Sequence, residues 1–144
     1  MVELIKNYEG ECITDQNGSY AFSELVNQIN EFKNLLSNKI RNHDRVLIHS
    51  DYTFHSISLL VSLSDFNINI IPLVKTTESE FQEKVESVSP HWILSFDDNK
   101  LNIQKSISTL KNDEVFNDVS KKGDTGIILF SSGTTGKPKV MIQN

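Results

Sequence analysis

The chain has 144 residues, the size of one ordinary domain, and its 38% hydrophobic and 23% charged content is an ordinary globular balance. A net charge of -5 argues against a nucleic-acid groove, which needs clustered Lys and Arg, and no uninterrupted apolar run approaches the ~20 residues of a membrane span. Glu3 and Lys6 precede no long apolar core, so no signal peptide is read, and the lone Cys12 cannot form an internal disulfide; a reducing, cytoplasmic setting is expected.

In chain order, Cys12 to Asp15 and Ser19 to Ala21 flank Gln16-Asn17-Gly18, and an Asn-Gly pair between two short extended runs predicts a β-hairpin. Cys12 itself reads as a small apolar filler of a strand. From Phe22 onward, Phe22, Leu25, Val26, Ile29, Phe32, Leu35, Leu36 and Ile40 recur at spacings of three and four, which predicts a long helix with Ser23 as its N-cap. Its opposite face, with Asn27, Glu31, Lys33, Asn34 and Asn38, should be wet.

Val46-Leu47-Ile48 reads as a buried strand, Thr53 to Phe66 as a helix and Ile68 to Pro72 as another strand. Ser56, Ser58, Ser62 and Ser64 are small enough to let the second helix pack closely. Thr77-Glu78-Ser79-Glu80 has the capping-box pattern before Phe81, Val85 and Val88, and Pro90 separates that helix from a strand over Trp92 to Phe96. Two successive crossovers predict a parallel sheet. Between Leu101 and Val119, the residues Ile103, Ile107 and Leu110 suggest a short helix.

His43, His49, His55 and His91 share no metal-ligand spacing and are read as structural. Glu78, Glu80, Glu83 and Glu86 form the solvated face of a helix, and Trp92 belongs to the core.

The most informative stretch is Ser131-Ser132-Gly133-Thr134-Thr135-Gly136-Lys137-Pro138-Lys139, reached from the apolar run Ile127-Ile128-Leu129-Phe130. Glycines let the backbone turn sharply and approach a ligand, hydroxyls donate hydrogen bonds, and lysines add positive charge, a combination suited to a phosphate chain. It is not a Walker A loop. Only Thr134 and Thr135 separate Gly133 from Gly136, and Pro138 pushes Lys137 toward an extended conformation where Walker A needs a helix. A strand, a loop and an exit strand beginning at Val140-Met141-Ile142 are expected instead.

These residues carry a family resemblance. The loop resembles the phosphate-binding signature of the adenylate-forming superfamily, which includes acyl-CoA synthetases, aryl-CoA ligases, luciferases and the adenylation domains of peptide synthetases. That signature is Ser or Thr, Ser, Gly, Ser or Thr, Thr, Gly, any residue, Pro, Lys, and every position is met here. Upstream, Ser19-Tyr20-Ala21-Phe22-Ser23-Glu24-Leu25 looks like the segment that opens the family's first long helix. Asp44-Arg45-Val46-Leu47-Ile48 is similar to its Gly-Asp-Arg-Val strand opening, with His43 where Gly is usual. Ile70-Ile71-Pro72-Leu73 resembles the strand that ends in Pro-Leu, and Asp124-Thr125 stands where an Asp leads toward the loop.

The resemblance implies an α/β fold: a mainly parallel sheet with flanking helices, preceded by a short β-hairpin, forming an incomplete portion of an adenylate-forming N-terminal domain. It implies ATP with Mg2+, a carboxylic acid and a thiol acceptor such as coenzyme A. It assigns the ATP phosphates to Ser131, Ser132, Gly133, Thr134, Thr135, Gly136 and Lys139, with no catalytic or metal-binding residue of its own in this stretch. Lys137 falls on the variable position, and Val140 stands where a small residue is usual. In the family the adenine-binding segment, the Thr-Glu pair, the ribose-binding Asp, the hinge and the C-terminal lysine lie further along a longer chain. Residues 1–144 are therefore expected to be a partial N-terminal subdomain that does not form acyl-adenylates alone, and open sheet edges are expected to favour self-association. A non-catalytic nucleotide- or pyrophosphate-binding module, or an interaction protein completed by a separate chain, are the alternatives.

Overall fold

The computed structural model describes residues 10–106, 125–131 and 139–143. It begins with an antiparallel hairpin of β1 (Glu11–Asp15) and β2 (Gly18–Ala21), in which Asp15 stands opposite Gly18 across the Gln16-Asn17 turn. The Asp15 carboxylate accepts the Asn17 N–H at 2.7 Å, and Gly18 takes a φ of +141°, which suits a residue without Cβ. The register shifts between Glu11 and Ile13, so Cys12 falls at a bulge. There it packs with Ile13, Tyr20 and Phe22 against Leu25, Ile29 and Phe54, and burial pushes its thiol pKa up, in keeping with an apolar filler.

Helix α1 (Phe22–Leu36) buries Leu25, Ile29, Phe32 and Leu36, the apolar stripe read from the sequence, while Asn27, Glu31 and Asn34 are exposed. The expected cap is corrected. Ala21, not Ser23, is the N-cap residue, and the Glu24 carboxylate reaches back to accept the Ala21 N–H at 2.7 Å. A carboxylate in the first turn also complements the helix dipole, so a cap residue without an oxygen is tolerated. The helix stops before Ile40, which nevertheless stays in the core.

A six-stranded sheet follows in the order β6-β5-β3-β4-β7-β8, with β3 (Arg45–His49), β4 (Asn69–Leu73), β5 (Trp92–Asp97), β6 (Lys100–Lys105), β7 (Gly126–Ser131) and β8 (Lys139–Gln143). Strands β5, β3, β4 and β7 are mutually parallel, and β6 and β8 close the two sides antiparallel. This is the expected mixed α/β architecture with a preceding hairpin.

Helix α2 (Phe54–Leu63) links β3 to β4, and α3 (Glu78–Val88) links β4 to β5. Thr53 and Ser56 cap α2 reciprocally: Thr53 Oγ1 accepts the Ser56 N–H at 3.2 Å and Ser56 Oγ accepts the Thr53 N–H at 2.8 Å. Ser58 and Ser62 are fully buried and donate back to the Phe54 and Leu59 carbonyls at 2.6 and 2.7 Å, so small polar residues sit in the core without an unmet donor. Thr77 caps α3 by accepting the Glu80 N–H, and Ser89 ends it with a left-handed φ of 43°. Glu78, Glu80, Glu83 and Glu86 are all exposed, as expected of a solvated face.

Alternation along the strands splits the core. Val46, Ile48, Ile70 and Leu94 pack with Phe32, Leu36, Leu59 and Leu63 of α1 and α2, whereas Leu47, Ile71, Leu73 and Ile128 pack with Val85 and Val88 of α3. Trp92 lies against the first cluster and donates its indole N–H to Asp44 Oδ2 at 2.9 Å.

The helix suggested from Leu101 is not formed over its described part. Asp98 and Asn99 both take positive φ, 50° and 61°, the requirement of a tight two-residue hairpin turn, and the chain returns along β5 as β6. Leu101 and Ile103 then meet the core while Asn102 and Gln104 point away, a period of two that the spacing of Ile103, Ile107 and Leu110 had obscured. Ile107 and Leu110 lie outside the described residues.

Candidate functional site

Because β3, β4, β5 and β7 are parallel, their carboxyl ends, at His49, Leu73, Asp97 and Ser131, share one side of the sheet. In open α/β sheets, ligands bind beyond that side. Strand β7 buries one face: Ile128 is fully buried beneath α3 and Phe130 packs on the same cluster, while Ile127 is exposed. The start of β7 is anchored by Thr125, whose hydroxyl donates to the Ser64 carbonyl at 3.1 Å and is hydrogen-bonded to the Phe66 carbonyl.

Ser131, half-buried, ends β7 directly opposite Lys139, the first residue of β8. Of the strand, loop and exit strand expected from the sequence, the two strands are present. Ser132, Gly133, Thr134, Thr135, Gly136, Lys137 and Pro138 lie outside the described residues. Of the expected phosphate ligands, the fold brings Ser131 and Lys139 to adjacent places in one ladder.

Around this end of the sheet stand residues that the motif does not include. His49, at the end of β3, stacks on Phe81 of α3 with ring centroids 4.2 Å apart. Burial and then the nearby Lys75 hold the His49 pKa below its ordinary value, with Glu78 and Asp51 opposing. Lys84 Nζ lies 5.6 Å from the centroid of the Phe130 ring, one residue before Ser131. Asp51 Oδ1 accepts the Lys75 N–H at 3.2 Å and ties the turn after β3 to that after β4. A small cavity of about 20 Å³ sits under the first turn of α2, lined by Ser50, Tyr52, Ser56 and Pro72 among others. Phe81, Ser56, Pro72 and Phe130 are each placed on their elements by the sequence, but none of these contacts is visible in it.

His91 belongs to the opposite side. Its Nδ1 accepts the Arg45 N–H at 2.8 Å, which leaves the ring neutral, and burial followed by the Arg45 charge lowers its pKa, with Asp44 opposing. Among the described residues no three His, Cys, Asp or Glu side chains gather as a metal site. Nor, among them, is any helix long and apolar enough to cross a membrane.

The sequence matches no protein-family model and no curated protein sequence. Solved structures do match. The NpsA N-terminal subdomain of Klebsiella oxytoca superposes with a TM-score of 0.70 at 16% identity, over 98% of this chain and 40% of that one. VinN in complex with 3-methylaspartate gives 0.68 at 13% identity, over 98% and 46%. ATP-bound MatB from Rhodopseudomonas palustris gives 0.66 at 15% identity, over 96% and 32%. All three are adenylate-forming enzymes. The chain shares the fold of part of each. It spans less than half the length of these structures, and its described part comprises the hairpin, the sheet and three helices.

Proposed function

We propose that the chain is the N-terminal part of a cytoplasmic, ATP-dependent adenylate-forming ligase, and that residues 131–139 grip the β- and γ-phosphates of ATP. The observation that carries this reading is the pairing of Ser131 with Lys139 at the carboxyl side of the parallel strands, which closes a loop of matching composition where nucleotides bind in such sheets. In the proposed reaction a carboxylate oxygen attacks the α-phosphorus, the bond to the bridging oxygen breaks, and pyrophosphate leaves with the electron pair. A thiol then displaces AMP from the acyl-adenylate.

The loop's share is electrostatic. Negative charge grows on the departing pyrophosphate, and donors already aimed at its oxygens stabilise that charge without reorganising. Backbone N–H groups about Gly133 and Gly136, the hydroxyls of Ser131, Ser132, Thr134 and Thr135, and the Lys139 ammonium are the proposed donors. Magnesium would arrive on the nucleotide and offset phosphate charge, since that ion is usually held by substrate phosphates with few protein ligands. The carboxylic acid and the thiol acceptor are assigned to parts of the ligase outside residues 1–144. Self-association at the outer strands β6 and β8 belongs to the same reading, because an outermost strand offers unpaired backbone groups.

Pyrophosphate exchange tests the proposal. The 144-residue chain, given ATP, magnesium and a panel of carboxylates, should exchange nothing above background. A polypeptide carrying the reading frame onward past Asn144 should exchange with at least one acid. Exchange by the short chain would refute its inactivity, and a longer polypeptide silent with every acid would refute the ligase reading.

A further inference from the structure

Asn17 is followed by Gly18, and no other asparagine of the chain precedes a glycine. That neighbour matters chemically, because the side-chain amide of an asparagine lies within reach of the next backbone nitrogen, and a residue without Cβ leaves the approach to that nitrogen open. Asn17 and Gly18 are both exposed, and apart from the chain neighbours of Gly18 nothing stands within 4 Å of where its Cβ would be. Strands β1 and β2 form a two-stranded sheet of their own, apart from the six-stranded one, and a sheet of two strands is marginally stable.

The same turn reaches into the rest of the fold. Asp15 pairs across it with Gly18, holds the Asn17 N–H through Oδ1 at 2.7 Å, and holds the Phe54 N–H through Oδ2 at 2.9 Å. The Thr14 and Ser19 hydroxyls meet at 3.0 Å one step along the hairpin, and Tyr20 stacks on Phe54 with ring centroids 3.9 Å apart. The geometry of the turn thus decides whether the first amide of α2 keeps its acceptor.

We propose that Asn17 is a deamidation site, and that its isoaspartate product releases the hairpin's hold on helix α2. The Asp15–Gly18 pairing closes the turn, so the reaction draws on its local openings. Solvent hydroxide removes the Gly18 amide proton and the nitrogen attacks Asn17 Cγ. The new C–N bond closes a succinimide ring, and the side-chain nitrogen leaves as ammonia. Water then opens the ring. Addition at Cγ gives aspartate, whereas addition at the main-chain carbonyl gives isoaspartate, in which the chain runs through Cβ and Cγ and the former carbonyl carbon becomes a free carboxylate. One water is consumed and one ammonia released. Isoaspartate places a new negative charge beside Asp15 and adds an atom to the main chain of a tight turn. The Asp15–Gly18 register is lost, and Oδ2 is drawn off the Phe54 N–H. The site belongs to the hairpin and is independent of the phosphate reading.

Incubation of the folded whole chain in mildly alkaline buffer, followed by peptide mapping by mass, tests the site. Asn99 is an internal control, exposed in the β5–β6 turn but followed by Lys100, which has a side chain. Asn17 should convert about tenfold faster or more than Asn99, since an unhindered nitrogen is combined with a turn that opens locally. Equal rates, or conversion of Asn17 only after urea has unfolded the chain, would overturn the proposal. The isoaspartate form carries an added negative charge and separates by anion exchange. Its Phe54 amide should exchange hydrogen roughly fivefold faster or more, as for the loss of a helix cap. Asn17→Gln, whose longer side chain closes an imide far more slowly, should keep its Phe54 protection through the same incubation. Unchanged Phe54 exchange in the isoaspartate form, or an equal loss in Asn17→Gln, would overturn the coupling to α2.

Discussion

Asp15, at the turn of the hairpin, accepts the Phe54 N–H through Oδ2 at 2.9 Å and thereby satisfies the first free amide of helix α2. Its other oxygen holds the Asn17 N–H. These two bonds, in that order, hold the Asp15 carboxyl below its ordinary pKa. A lowered pKa means that the stabilisation is present at neutral pH and is lost as pH falls through the folded value. Asp15→Ala should lower the thermal midpoint at pH 7 by a few degrees, and Asp15→Asn, which keeps one acceptor, by less. At about pH 3, below the ordinary Asp pKa, the gap between the natural chain and Asp15→Asn should narrow. Melting curves at the two pH values check this, and a gap that widens on acidification contradicts it.

His43 takes a left-handed φ of 70° and donates its N–H to the Asn67 carbonyl at 2.7 Å, at the place where the resembling motif has Gly. That conformation costs a residue with Cβ about 1–2 kcal/mol, and glycine's extra freedom when unfolded returns about 0.5–1 kcal/mol of this. His43→Gly should therefore raise stability by up to about 1.5 kcal/mol, since the hydrogen bond is a backbone one. His43→Val should lower it. Urea midpoints would decide, and a glycine variant less stable than the natural chain would contradict the strain argument.

His91 and His49 both have lowered pKa values, from burial first and then from Arg45 and Lys75 respectively. Each group's contribution is full above the ordinary histidine pKa of about 6.5 and is lost as pH falls below it. For His91 the cause is also geometric, because a protonated Nδ1 can no longer accept the Arg45 N–H. Unfolding free energy should be flat from about pH 7.5 to 6.5 and fall below that. His91→Asn offers an acceptor that does not titrate, and should remove part of the slope. An unaltered slope in that variant would assign the pH dependence elsewhere.

Within the proposed phosphate loop the two lysines should differ. Lys139 is fixed by its pairing with Ser131, whereas Lys137 falls on the variable position of the motif. A charge-assisted hydrogen bond contributes about 1.5–3 kcal/mol, so Lys139→Ala should weaken pyrophosphate binding by about tenfold or more while Lys137→Ala changes it little. Chemical-shift titration with magnesium pyrophosphate measures both, and equal losses would remove Lys139 from the site.

Several elements could be read directly from residues. Thr53 and Thr77 announced two helix starts, the stripe from Leu25 to Leu36 announced a third helix, and the residues on either side of 132–138 announced two strands. Ser23 misled because a first-turn carboxylate can replace a side-chain cap, and Ala21 needs only Glu24 three residues on. The Asp98-Asn99 turn was visible in principle, but its consequence, β6, competed with a spacing that also fits a helix. The meeting of Lys84 with Phe130 carried no signal, since it joins α3 to β7 across a long stretch of chain.

By itself, then, the sequence determined the local periodicities, most caps and the composition of the proposed phosphate loop, because these depend on neighbours three or four residues away. Tertiary structure alone decided that β5 lies beyond β3 and β7 beyond β4, and hence that Ser131 ends its strand on the same side of the sheet as His49 and Leu73. It also decided that a hairpin carboxylate caps a distant helix. The physical reason is that strand order follows from which faces can be buried together, and that is not written in any short stretch of residues.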